Sequence, residues 1–369
     1  MIDYSEYRED SIHGRYITME MLQENCFPKL KVDTIIIGNS VQGIPIPAFT
    51  IGQGKHKILM WSQMHGNEST TTKAVWDLVN FIQSQHETAK SIKEACTLTI
   101  VPMLNPDGAK AYTRVNSNQI DLNRDAKNLS QPESVALRTL FQKFEPDFCF
   151  NLHDQRTLFS AGRTDNPATV SFLSPASNEQ RDITPSRETA MKLIGAMNSL
   201  LQKMIPGQVG RYDDGFNDNC VGDTFQMLEV PTVLFEAGHY PNDYEREKTR
   251  EYIFLAMVEA LRTIATDEIS DFTKDTYFDI PENEKLFFDV LVKNPRVINK
   301  EYKEGEKVGV RYKEVLEGSK INFVPEIAEV GTLEGFYAHR IIEVADTVGL
   351  DFNTSHKTIM DLFLSINEK

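Results

Sequence analysis

From residue 34 to about residue 265, short apolar runs alternate with longer segments in which apolar positions recur every three or four residues. The runs over 34–37, 58–61, 98–104, 148–152 and 232–235 have the length and continuity of buried strands. Between them, Ala74, Val75, Leu78, Val79 and Ile82 fall on one helical face within 70–84, and Ser69 or Thr70 stands where a cap belongs. The same periodicity predicts helices over 133–144, 186–204 and 243–265. Strands alternating with helices give an α/β fold in layers.

Beyond Thr266 the pattern changes to short strand-like runs over 287–292, 307–312, 320–324 and 340–344, separated by Gly, Pro and Asn. This predicts a catalytic-size α/β domain over 1–268 and a smaller β-rich domain over 269–369. A length of 369 residues suits two domains. With 40% hydrophobic and 25% charged residues the chain is an ordinary globular one, not a disordered or collagen-like one. The formal charge is 39 − 54 = −15, which argues against nucleic acid or an acidic membrane as partner. No run approaches the ~20 apolar residues that span a bilayer, and the polar, acidic N-terminus lacks a signal-peptide core. Cys26, Cys96, Cys149 and Cys220 lie far apart in apolar surroundings, as buried free thiols do. These features together predict a cytoplasmic protein.

Candidate chemistry gathers at the strand ends. His65-Gly66-Asn67-Glu68 follows the run 58–61, and a His and a Glu three residues apart can face one cation. Alone, this motif is weak, since such pairs are common on solvated surfaces. His153 follows the run 148–152 and Glu236 follows 232–235, so three separate strands end in His65, His153 and Glu236. Any one of them taken alone is better explained as a satisfied polar residue at a strand end. Three together point to a site, because open α/β sheets bind ligands beyond the carboxyl ends of their strands. Asn105-Pro106-Asp107-Gly108 reads as a turn, leading to Arg114 and to Asp121-Leu122-Asn123-Arg124-Asp125. Arginine presents a planar fork that matches a carboxylate, although a surface loop with weak salt bridges explains the segment about as well.

These motifs, in this order and spacing, resemble those of the zinc carboxypeptidase family over roughly residues 30–265. Thr113-Arg114-Val115-Asn116 ahead of Asp-Leu-Asn-Arg is similar to the bacterial branch that includes murein-peptide amidases. The segment 305–324 faintly resembles the β domain of aspartoacylase and succinylglutamate desuccinylase. The resemblance implies a mixed, mostly parallel sheet flanked by helices and one Zn²⁺ held by His65, Glu68 and His153. It implies that Arg114 stabilises the oxyanion, that Asn123 and Arg124 grip a terminal carboxylate, and that Glu236 is the general base and then acid. A substrate-covering tyrosine is matched only loosely, by Tyr212. Asp223, in the stretch that shapes the specificity pocket, either selects an amino-bearing side chain or simply caps a helix. Asp125 stands where the family often has Asn and brings an extra carboxylate near the site. His239 is read as shaping its loop rather than as a second metal ligand.

The expected function is therefore a zinc metallopeptidase of the carboxypeptidase type, cutting an amide next to a free carboxylate on a peptide or a murein-derived peptide. The alternative is an N-acyl amino acid deacylase with the same metal site. A noncatalytic binding module is a third, remoter reading.

Overall fold

The computed structural model describes residues 2–297 and 299–344. His356 and the last residues of the expected β-rich domain lie outside the described residues. The strands are, in chain order, β1 (Thr34–Asn39), β2 (Pro45–Ile51), β3 (His56–Ser62), β4 (Cys96–Val101), β5 (Phe148–Asp154), β6 (Ser160–Ala161), β7 (Val170–Leu173), β8 (Val209–Arg211), β9 (Thr232–Ala237), β10 (Asn283–Glu284), β11 (Phe287–Lys293), β12 (Lys307–Glu317), β13 (Lys320–Gly331) and β14 (Tyr337–Glu343). The helices are α1 (Met19–Asn25), α2 (Thr70–Ile82), α3 (Glu87–Ala95), α4 (Pro106–Ala111), α5 (Pro132–Phe144), α6 (Pro185–Leu201), α7 (Val221–Met227), α8 (Glu247–Ala265) and α9 (Asp275–Phe278).

An eight-stranded sheet in the order β1-β2-β4-β3-β5-β9-β7-β8 carries the site. Its central strands β4, β3, β5 and β9 run parallel; β1 and β2 pair antiparallel with their neighbours, and β7 is antiparallel to β9 and parallel to β8. Side chains alternate between the faces, so each strand serves two cores. Ile58, Met60, Phe148, Phe150, Leu98 and Ile100 join the core under α2, α3, α6 and α8. Leu59, Trp61, Val101 and Cys149 join a second core with Leu137 and Phe141 of α5 and Phe225 of α7. Burial on both faces explains why these strands read as continuous apolar runs rather than alternating ones.

A second sheet, in the order β13-β12-β11-β14, follows the core. Its strands β12 and β13 form a long hairpin that turns at Gly318-Ser319, with Gly318 at φ 62 where a glycine costs least. The chain between α8 and this sheet still packs on the core, since Tyr277 and Ile280 are buried there and β10 pairs with β6.

Several local expectations change. Asn105-Pro106-Asp107-Gly108 is a helix start, not a free turn: Asn105 Oδ1 accepts from the Gly108 amide at 2.9 Å and Pro106 opens α4. Neither Ser69 nor Thr70 caps α2 with its side chain; the Asp154 carboxylate accepts from the Thr70 and Thr71 amides at 2.9 and 3.2 Å. Helix α8 starts at Glu247, where Asp243 accepts from the amides of Glu247, Lys248 and Thr249.

Candidate active site

The three strand ends meet. In the parallel pair β5/β9, His153 and Glu236 are register partners, and His65 and Glu68 lie in the segment joining adjacent β3 to α2. That segment is pressed against α4: a Cβ at Gly66 would stand 1.9 Å from the Gly108 carbonyl carbon, so only glycine fits. Glu68 and Asp154 lock the arrangement in both directions. Glu68 Oε2 accepts from the Asp154 amide at 3.1 Å while Asp154 caps the helix that Glu68 precedes.

His65, Glu68 and His153 are all buried, and their donor atoms lie within 4.8 Å of one another. His65 Nε2 lies 2.9 Å from Asp121 Oδ1, a contact that requires its proton on Nε2 and leaves Nδ1 a lone pair. That lone pair faces His153 Nδ1 at 3.0 Å and Glu68 Oε1 at 2.8 Å. His153 Nδ1 also faces Glu68 Oε2, at 2.8 Å, and its Nε2 is buried without a partner. With both imidazoles neutral and their Nδ1 atoms unprotonated, these three groups present acceptors converging on one point, which fits a divalent cation, and two imidazoles with a carboxylate suit zinc. Among the described residues no other group of three metal-binding side chains converges in this way.

The charge on Glu68 is well supported: burial pushes its pKa up, but His65 and His153 hold it well below the usual carboxylate range. Glu236 shows the opposite outcome. Burial, then Glu68 and Asp154, push its carboxyl well above the ordinary range, and its Oε2 is buried with no partner. Arg114 donates from Nη1 to Glu68 Oε1 at 3.2 Å and from Nε to Asp121 Oδ2 at 3.0 Å. Asp121 therefore bridges His65 and Arg114. This positioning role was overlooked in the sequence although the residue heads a motif that was read.

One cleft of about 1170 Å³ is lined by all the candidates: His65, Glu68, Arg114, Asn123, Arg124, His153, Tyr212, Asp223 and Glu236. Asn123 Oδ1 accepts from the Val221 amide at 3.1 Å, and exposed Arg124 donates to its neighbour's carbonyl at 2.7 Å and to Cys220 Sγ at 3.1 Å. Cys220 is thus a cleft residue, unlike the three buried thiols. Asp223 lies in the first turn of α7, but no side chain caps that helix. Burial pushes its carboxyl up to about 6. The Tyr212 ring packs on Phe159 at 5.3 Å, and its hydroxyl is raised by burial and by Glu236. Asp125 does not meet the site: its carboxylate accepts from the Ser130 amide and hydroxyl and from the Gln131 amide. The His239 ring packs tilted against His339 at 4.1 Å and against Tyr244 at 4.7 Å.

The second sheet forms part of the cleft. Tyr312 and Glu314 of β12 and Phe323 of β13 line it together with Arg15, Tyr112, Tyr244 and Arg246 of the core. Arg15 meets Glu314 at 3.0 Å, Tyr112 donates to the same carboxylate, and Tyr244 packs on Tyr312 and Phe323 at 5.3 and 5.2 Å. These residues come from distant segments with no shared local pattern that would mark them in the sequence.

The zinc carboxypeptidase sequence profile matches residues 18–252. Carboxypeptidase SOL1 of Arabidopsis thaliana is 33% identical over 122 residues, which is 28% of this chain and 25% of that protein. Gamma-D-glutamyl-L-diamino acid endopeptidase 1 of Lysinibacillus sphaericus is 28% identical over 177 residues, 42% of this chain and 43% of that protein. The chain thus spans between 25% and 43% of the length of these two relatives. A metallo-carboxypeptidase structure from Burkholderia cenocepacia superposes with a TM-score of 0.52 over 64% of this chain and 65% of that chain at 18% identity, which shows the shared fold. With a match over well over half its residues, the chain belongs to the zinc carboxypeptidase family.

Proposed function

We propose that this chain is a zinc-dependent hydrolase that cuts the amide bond preceding a free carboxylate, on a short peptide or a murein-derived peptide. The observation that carries this reading is the convergence of two imidazole nitrogens and a carboxylate beside an unpartnered glutamate oxygen at the ends of adjacent strands. His65, Glu68 and His153 would hold the zinc, which when bound would supply Lewis acidity for the scissile carbonyl and lower the pKa of water at the site. Glu236, as the carboxylate that a cation at this site would favour over the protonated form, would take the proton of the attacking water and pass it to the leaving nitrogen. Arg114 swings its guanidinium from Glu68 to the developing oxyanion while Asp121 keeps hold of Nε. A positioned donor of this kind contributes about 3–4 kcal/mol to the transition state. Asn123 and Arg124 take the terminal carboxylate, and Tyr212 covers the substrate from the far side.

Two observations bear on the substrate. The Lysinibacillus relative is named for a bond to an L-diamino acid, and Asp223 offers a carboxylate in the cleft for such an amino group. A cleft of about 1170 Å³ is roomier than a single N-acyl amino acid needs, which favours a peptide over the deacylase reading.

The test is zinc-controlled turnover. Protein stripped by chelation and reloaded with zinc is assayed on C-terminally free peptides, among them γ-D-glutamyl-L-lysine and diaminopimelate-containing peptides, and on N-acyl amino acids. Release of the C-terminal residue only with zinc, and a fall of about 10²–10⁴ in kcat on Glu236→Gln, are expected. Turnover unchanged in Glu236→Gln would show that another group is the base.

A further inference from the structure

Arg246 is 1% exposed and lines the cleft, yet no carboxylate lies within ion-pair distance of it among the described residues. Of its side-chain nitrogens only Nη1 has a partner among the described residues, the Ala237 carbonyl; Nε is buried and unsatisfied. Arg15, 5% exposed, lines the cleft beside it and also keeps a buried, unsatisfied Nε. A buried cation left unpaired is costly, so folds normally supply its counter-charge.

Here the nearby carboxylates are already committed. Glu314 is taken by both terminal nitrogens of Arg15 and by Tyr112. Asp154 is taken by the first amides of α2, and Asp289 by the Tyr244 hydroxyl and the Tyr312 amide. Burial and the neighbouring Arg15 lower the pKa of Arg246, as expected for a cation short of an anion. Arg246 is also held out of ordinary backbone space, at φ 60, at the entry to α8.

We propose that Arg246, through the Nη2 that has no protein partner, forms an anion subsite that binds a second carboxylate, on the acyl side of the scissile amide, with the neighbouring Arg15 adding positive charge to it. The placement follows from the walls of the cleft. Arg124 belongs to the wall made with Asn123 and Cys220, whereas Arg246 sits on the loop after β9, bonded to the residue next to Glu236. A substrate anchored at Arg124, with its amide at the His65–Glu68–His153 group, extends its acyl part toward Arg246. The substrate class is then a peptide whose residue before the scissile bond carries a free carboxylate. A γ-linked glutamyl residue does so through its α-carboxylate. The proposal rests on the amide-hydrolase reading for the direction of the substrate, and it adds a specificity that the reading does not require.

The test compares N-acetyl-γ-D-glutamyl-L-lysine with the same compound bearing an α-carboxamide, so that only one charge differs. Binding is measured calorimetrically on the zinc-loaded Glu236→Gln protein, and turnover on the wild type. The carboxylate form binds at least tenfold more tightly if the subsite exists, since hydrogen bonds to charged groups are the strong ones. Arg246→Gln in the same background brings the ratio close to one. Arg246→Lys, which keeps the charge but loses the fork, gives an intermediate ratio and guards against a folding defect in the first variant. Discrimination in binding without turnover in the wild type upholds the subsite and overturns the hydrolase reading. Turnover of both compounds with equal affinity overturns the subsite alone. Neither binding nor turnover overturns both.

Discussion

Replacing Asp121 with asparagine tests how the metal ligands are held, because the two oxygens of this residue serve two different donors. Oδ1 receives the Nε2–H of His65 at 2.9 Å, and Oδ2 receives the Nε–H of Arg114 at 3.0 Å. Burial pushes the carboxyl up, but His65 and Arg114 hold it well below the usual range, so both oxygens act as anionic acceptors at any working pH. Asparagine has one acceptor and one donor. Whichever way its amide turns, it sets an NH₂ against an N–H donor at one of the two contacts. If His65 loses its partner, the imidazole is no longer fixed with its Nδ1 lone pair toward Glu68 and His153. Partners of this kind are worth about 10–100-fold in metal affinity, or about 1.4–2.8 kcal/mol. If Arg114 loses its partner, its half-exposed guanidinium wanders from the oxyanion position, and a loss of about tenfold in kcat/KM at saturating zinc follows. The assay is a chelator competition for zinc alongside kinetics at saturating zinc. The reasoning fails if Asp121→Asn leaves both the zinc Kd and kcat/KM within threefold of wild type.

Two further predictions concern stability. Burial raises Asp223 from 3.8 to about 6, so its ionisation is harder in the fold than in the unfolded chain, and stability is lost as pH rises from about 4 through 6. Asp223→Asn should therefore stabilise the protein above pH 6 by at most about 3 kcal/mol, with the gain vanishing below about pH 4; melting curves across that range that show no such trend contradict the assignment. Glu314→Ala strands the buried Arg15 cation and should cost about 3–5 kcal/mol in urea denaturation, whereas a loss under 1 kcal/mol would show that the β12 contact contributes little to holding the second sheet.

The metal end of the site was legible because it is built from sheet-buried strands. Continuous apolar runs marked β3, β5 and β9, and a single chemically active residue after each marked its carboxyl end. The β-rich texture of the second sheet was legible for a similar reason, although β12 and β13 run well past the expected strands because their later residues are half-exposed. Other features had no local signature. Strands β7 and β8 are only four and three residues long, too short to show a period. The segment at 105–108 has the chemistry of both a turn and a helix start, and the structure resolves it only through the Asn105 side chain. The cap of α2 comes from Asp154, 84 residues away from Thr70, so no window of sequence contains both. The cluster of Arg15, Tyr112, Arg246 and Glu314 draws on an N-terminal segment, the end of α4, a loop and the second sheet, which meet only in the folded chain.

The register pairing of His153 with Glu236 has a consequence for how far this site tolerates change. Their backbones stand opposite each other on one rung of a hydrogen-bonded ladder, so their separation is set by the roughly 4.8 Å spacing between strands and not by side-chain packing. The sheet acts as a ruler. Substitutions that reshape the helices around it change stability while leaving that interval alone. A one-residue insertion or deletion within β5 or β9 would instead turn a ligand or the base to the opposite face.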